Sequence, residues 1–404
     1  MFRYSYIDAV RLILVLLSLM LVGCGGLSVS VTQSPTPTAS PPPSPTLEPE
    51  DPASKIDQTL TFLTERESFT GAVLVARNGE VLLSQGYGLA DREKNLPNTP
   101  QTKYRLGSIT KQFTAMAILL LQAQDKLKVQ DPICRYLAEC PATWQDITIH
   151  HLLTHTSGIP DFTRFPDYDT TRAAPASPLQ TIVRFKDRPL DFKPGEQWSY
   201  SNSGYILLGY IIEQTSGQSY ETFLQKNIFE PVQMKNTGYD HNDGSLATGY
   251  TGYYDHWEKA DNIDMTIPYS AGGLYSTIED LYRWDQVLYT KQLIPQELLD
   301  LMFTSYAKIP GTDLSYGYGW FVGKMNNHQV VSHGDGILNS AAASRSYTSE
   351  SGNGPQGNND IEGFATEIRL YTDDKVTIII LSNRDTTNVG EVSDQIAQAV
   401  LGEQ

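Results

Sequence analysis

Strand-like sequence at both ends of a helical middle constrains this chain more than any other feature. Residues 71–76 (Gly-Ala-Val-Leu-Val-Ala) and 81–87 are apolar runs on either side of Asn78-Gly79, a strong hairpin signal. Residues 364–371 and 376–381 repeat the pattern near the other end, joined through Thr372-Asp-Asp-Lys375. Residues 55–65 have helical character, residues 392–401 read as a closing helix, and helical or loop-rich sequence fills the space between. Such an order predicts an α+β domain. Its antiparallel sheet is built from both termini and flanked by helices, with a helical lobe supplied by the middle. No linker divides residues 55–402, which are expected to form one unit of two lobes.

The first 54 residues read as an address rather than as part of that domain. Arg3 and Arg11 precede an apolar run at residues 12–22, too short to span a bilayer comfortably and laid out like a secretory signal. Leu21-Val22-Gly23-Cys24 resembles a bacterial lipobox, in which Cys24 becomes the lipidated first residue. The alternative is an ordinary signal peptide with an incidental cysteine. Residues 25–54 are rich in Ser, Thr and Pro with little to bury, the composition of an extended tether. The expectation is a secreted protein anchored to the membrane by lipid, with its folded part on the extracytoplasmic face. In an oxidising compartment Cys134 and Cys140 are candidates for a disulfide, the alternative being two free buried thiols. A net charge of −16 opposes nucleic-acid binding.

Chemistry concentrates at four places. Ser108-Ile-Thr-Lys111 opens a long apolar run, residues 113–121, without Gly or Pro. A serine and a lysine three apart on a helix share one face, and a hydroxyl beside an amine makes an activated nucleophile. The spacing recurs at Ser305-Tyr-Ala-Lys308, which runs into Pro310-Gly311, heads no helix and reads as chance. Tyr200-Ser201-Asn202 precedes a helical run at residues 206–213 and can present a phenol and an amide to a cleft. His333-Gly334-Asp335-Gly336 follows strand-like residues 329–332 and suits a cation or donor at the end of an edge strand. Leu152-Leu-Thr-His-Thr-Ser-Gly-Ile-Pro160 is a fourth distinctive run. His151 and His155 stand four apart without acidic residues or other ligands nearby, so structural roles are expected and no metal. No Gly-x-Ser-x-Gly occurs, which argues against an α/β-hydrolase.

In this order the motifs resemble the serine β-lactamase and penicillin-binding protein family, and its class C β-lactamase, DD-peptidase and esterase branch most closely. Ser270-Ala-Gly-Gly-Leu-Tyr-Ser-Thr277 is similar to a further stretch of that branch. The resemblance covers about residues 55–402. It implies a β-lactamase/transpeptidase-like fold and a serine hydrolase that works without metal or organic cofactor, through an acyl-enzyme. The substrate would be an amide or ester: a D-alanyl peptide, a β-lactam or a small ester. It implies Ser108 as nucleophile, Lys111 as electrostatic aid or base, and Tyr200 as proton shuttle. Asn202 would bond Lys111 and a substrate amide, and His333 would stand where the family has a strand lysine. The backbone N–H groups of Ser108 and Gly336 would form the oxyanion hole. The alternative is a catalytically impaired surface lipoprotein that binds cell-wall peptide.

Two departures from the family pattern stand out. Asp335 places a carboxylate in the His-x-Gly element, where it opposes substrates that carry a carboxylate. A polar insertion at residues 338–360, rich in Gly, Ser and Asn, interrupts strand-like sequence beside the expected cleft.

Overall fold

The computed structural model describes residues 51–252, 256–334 and 362–402, all within one unit, Pro49–Gln404. Cys24 and nearly all of the tether lie outside the described residues. So do Asp335, Gly336 and the insertion at 338–360.

Eight strands form one antiparallel sheet: β1 (Gly71–Arg77), β2 (Glu80–Tyr87), β3 (Ala307–Lys308), β4 (Ser315–Tyr316), β5 (Phe321–Met325), β6 (His328–Gly334), β7 (Ala365–Tyr371) and β8 (Val376–Ser382). They lie in the order β3-β4-β5-β6-β7-β8-β1-β2. The N-terminal hairpin therefore closes against the last strand, with β1 and β8 in register from Gly71↔Ser382 to Arg77↔Val376. The turn between β1 and β2 has Asn78 at φ 54 and Gly79 at φ 82. Two consecutive positive φ values are what a two-residue hairpin needs, which explains the Asn-Gly pair.

The principal helices are α1 (Pro52–Glu65), α2 (Thr110–Ala123), α3 (Ile149–Leu153), α4 (Pro178–Lys186), α5 (Asn202–Ser216), α6 (Tyr220–Leu224), α7 (Tyr269–Gly272), α8 (Ile278–Val287) and α9 (Val389–Leu401). Both faces of the central strands are covered. Val73 and Val75 of β1 pack with Ile56 and Leu60 of α1 and Val392 and Ile396 of α9. Ala72 and Leu74, pointing the other way, join the core of α2, α5 and α8. Burial on both sides removes the polar alternation of a half-exposed strand, so these strands read as continuous apolar runs. Glu367 and Arg369 interrupt that pattern on β7. The Arg369 Nη2 donates to Glu367 Oε1 at 2.7 Å and Ser393 Oγ of α9 to Glu367 Oε2 at 2.7 Å, so the buried charges are paired.

α2 and α5 are the spine of the helical lobe. Every α2 residue from Thr110 to Leu121 is buried. Removing side chains such as Phe113, Met116, Ile118 and Leu119 from water contributes about 1.5–3 kcal/mol each. The head of α2 is thereby held rigidly beside the sheet. α5 ends where Gly217 takes a left-handed conformation, φ 71.

Two expectations are corrected. The first helix begins at Pro52, inside the segment read as tether, because proline suits the first helical turn. β6 is an interior strand, paired by β5 and β7; only its last residues, His333 and Gly334, pair with β7 alone, since the β5 pairing ends at Ser332. Ser305 and Lys308 are unrelated to any helix, and Lys308 lies exposed on the two-residue β3. Cys134 and Cys140 form a disulfide.

Candidate active site

A turn of 3-10 helix, Gly107–Ile109, runs straight into α2 and sets Ser108 one turn before Lys111. Lys111 is fully buried, whereas Ser108 and Tyr200 remain partly exposed. Its Nζ donates to Ser108 Oγ at 2.8 Å, to Asn202 Oδ1 at 2.8 Å and to the Ala271 carbonyl at 2.9 Å. Three acceptors match the three donors of an ammonium, the condition under which a buried lysine can hold charge. The Tyr200 hydroxyl lies 2.7 Å from Ser108 Oγ. The same Nζ sits 4.8 Å from the Tyr200 ring centre. A serine and a lysine from one stretch thus meet a tyrosine and an asparagine from another, distant in sequence.

The run from Leu152 to Pro160 explains how Tyr200 and Asn202 get there. His155 adopts φ 59, which turns its ring back under the Tyr200 segment. Its Nδ1 accepts the Ser201 N–H at 3.1 Å, and its ring packs on Tyr200 at 4.3 Å. Ser201 Oγ donates to the Ile159 carbonyl at 3.0 Å and Ser203 Oγ to the Pro160 carbonyl at 2.7 Å. The buried Asp161 carboxylate accepts the Asn202 N–H at 3.2 Å, at the start of α5. Burial raises the Asp161 pKa, an effect Lys111 partly offsets. His155 is structural, as expected, but its place directly behind Tyr200 was not legible in the spacing. Asp161 gave no sequence signal beyond lying just past Pro160.

α7 supplies the other support. Its Ala271 carbonyl holds Lys111, and Ser270 Oγ donates to the Tyr205 carbonyl at 2.8 Å. A methyl on Gly209 of α5 would come within 2.1 Å of Ser270 Oγ, so only glycine lets α5 and α7 approach this closely.

His333 differs from its expected part. It is 1% exposed, its Nε2 shares a hydrogen bond with the Tyr316 hydroxyl at 2.9 Å, and its ring lies 6.4 Å from that of Tyr200. Burial, with Lys111 nearby, holds its pKa well below the usual histidine value. Burial and the nearby Lys111 charge both disfavour a positive charge on the ring, unlike the exposed strand lysine it was expected to replace. It packs instead in a wall of Tyr316, Phe321 and Tyr200. Gly334 then crosses the Thr366 carbonyl at a distance that a methyl would close to 2.1 Å. Gly336 lies outside the described residues, so of the six residues expected at the site five are placed.

The chain matches the family described as Beta-lactamase over residues 56–403. Two Bacillus subtilis (strain 168) proteins are similar to it. PbpX is 33% identical over 295 residues, 71% of each chain. Penicillin-binding protein 4* is 31% identical over 345 residues, 80% of this chain and 70% of the relative. The octameric penicillin-binding protein homologue from Pyrococcus abyssi superposes with a TM-score of 0.71 at 27% identity, over 86% of this chain and 77% of that one.

Proposed function

The chain belongs to the beta-lactamase family of serine hydrolases, and we propose that it cleaves an amide or ester through an acyl-enzyme on Ser108. The observation that carries this is the placement of Ser108 Oγ 2.8 Å from the buried Lys111 ammonium and 2.7 Å from the Tyr200 hydroxyl. A serine hydroxyl needs a base at neutral pH. Tyr200, as phenolate beside the Lys111 charge, takes the Ser108 proton as Oγ bonds to the acyl carbon. The tetrahedral oxyanion is held by the Ser108 N–H and, by its place in the motif, the Gly336 N–H. Collapse breaks the bond to the leaving amine or alcohol, which receives the proton from Tyr200. Water then gives a proton to Tyr200 as its oxygen bonds to the ester carbon; collapse breaks the bond to Ser108 Oγ, which takes the proton back from Tyr200, and the acid leaves. Asn202 fixes Lys111 and faces the substrate amide.

The substrate class we propose is a D-alanyl peptide, a β-lactam or a small ester. Asp335 weighs against the first two, because each bears a carboxylate. We also propose that the enzyme works on the extracytoplasmic face, tethered through lipidated Cys24. The Cys134–Cys140 disulfide fits an oxidising compartment. The test is a panel of a chromogenic cephalosporin, p-nitrophenyl acetate and a D-Ala-D-Ala peptide, run on the wild type and on a deletion of residues 338–360. Turnover of at least one substrate by the wild type is expected, with altered selectivity in the deletion. Turnover of none, with binding to wall peptides, would leave a binding protein in place of an enzyme.

A further inference from the structure

A second cavity, of about 420 Å³, opens on the far side of α7 from Lys111, between the start of α4, the end of α5, and α6. A space of that size suits a small molecule. Three tyrosine rings cluster on its wall: Tyr220 lies 5.1 Å from Tyr269 and 6.5 Å from Tyr239, centre to centre. Glu213 and Glu221 also line it, whereas among the described residues no lysine or arginine does. Pro175, Ala176 and Pro178 give it an apolar floor.

The helix-start amides here are already engaged. Ser177 and Gln180 form a capping box on α4, Ser219 accepts from the Thr222 N–H, and Glu213 Oε1 accepts the Tyr220 N–H at 2.9 Å. They offer little to an anion. The Tyr269 hydroxyl is a second, independent sign. Tyr269 is 6% exposed, and its hydroxyl is turned to the Glu213 carboxylate, which places phenol and carboxylate side by side on the wall. The Glu213 and Glu221 carboxylates give the cavity a negative field. Carboxylate, phenol oxygen and electron-rich ring faces together are the partners of an organic cation.

The far wall of this cavity is the support of Lys111. α7 begins at Tyr269, which is held at φ 40, and two residues later its Ala271 carbonyl accepts from Lys111 Nζ. Thr114 Oγ1 of α2 lies 2.6 Å from the Tyr220 hydroxyl and donates to the Ser270 carbonyl at 2.7 Å.

We propose that this cavity binds a primary aryl- or alkylammonium ion, its charge on Glu213 and the Tyr269 hydroxyl and its body on the tyrosine and proline walls, and that occupancy shifts α7 and slows acylation of Ser108. The rate effect rests on the hydrolase function proposed above; the binding does not.

Titration calorimetry on the folded chain at pH 7 measures binding directly, with phenethylammonium as probe and 2-phenylethanol as its neutral counterpart. Phenethylammonium is expected to bind at least tenfold more tightly than 2-phenylethanol. Glu213→Gln keeps an acceptor for the Tyr220 N–H and should weaken binding at least tenfold. Glu221→Gln, at the exposed rim where Glu221 also meets His241 at 3.0 Å, should weaken it about threefold without disturbing the fold. Binding should survive Ser108→Ala. Saturating probe should slow acylation at least threefold in the wild type and not in Glu213→Gln. Equal affinity for the neutral alcohol, unchanged affinity in both glutamate variants, or loss of binding once Ser108 is blocked by a fluorophosphonate would overturn the site. Binding with an unchanged acylation rate, in an enzyme shown to acylate, would overturn the coupling through α7.

Discussion

Replacing Tyr200 with phenylalanine isolates the proton-transfer step. The ring is held by His155 at 4.3 Å, and phenylalanine keeps that packing. What is lost is the hydroxyl 2.7 Å from Ser108 Oγ. A positioned acid–base group is worth about 10²–10⁴ in rate, or about 3–5.5 kcal/mol of barrier. The stability cost is far smaller. Tyr200 is partly exposed, and one such hydrogen bond contributes about 0.5–1.5 kcal/mol net. Stopped-flow acylation by p-nitrophenyl acetate and a chromogenic cephalosporin, beside urea denaturation, separates the two effects. Tyr200→Phe should acylate at least a hundredfold more slowly with nearly unchanged stability. Acylation within threefold of the wild type at pH 7 would refute the role of Tyr200 and leave Lys111 as the base.

Three further outcomes follow from the geometry. Gly209→Ala drives a methyl against Ser270 Oγ, within 2.1 Å, and should destabilise by about 1–3 kcal/mol while slowing acylation through the displaced Ala271 carbonyl, as urea unfolding and burst kinetics will register. Asp285 is buried, and burial raises its carboxyl to about 6 from an ordinary 3.8. The stability from its bound proton is present below 3.8 and lost as pH rises through 6, so the wild type should lose about 3 kcal/mol relative to Asp285→Asn between pH 4 and 7, measured by denaturation at each pH. His155 and His333 have the opposite sign. Burial depresses both, so the unfolded chain takes up protons below about pH 6.5 that the folded one excludes. In the Asp285→Asn background stability should therefore fall from pH 7 to pH 5, and less steeply in His333→Asn. An equal slope would show that His333 is protonated in the folded protein.

Much of the scaffold was legible because its signals are local. Asn78-Gly79 fixes a turn through two positive φ values, and residues 113–121 are apolar all round because the α2 helix is buried on every side. Ser108 and Lys111 were legible for the same reason, being one helical turn apart. Their separation from Ser305 and Lys308 came from a helix that one pair heads and the other does not. Non-local facts were not legible. The burial of His333 and its hydrogen bond to Tyr316 depend on a strand of two residues too short to leave a pattern. His155 matters through a left-handed backbone angle that a histidine does not announce. Asp161 matters because the chain folds back to put a carboxylate at the start of α5.

Intact-mass analysis after treatment with a penicillin or a fluorophosphonate tests the central claim most directly. The wild type should gain one adduct per chain, mapped by peptide fragmentation to Ser108, and Ser108→Ala should gain none. Equal labelling of both proteins, or an adduct at another residue, would contradict an acyl-enzyme on Ser108.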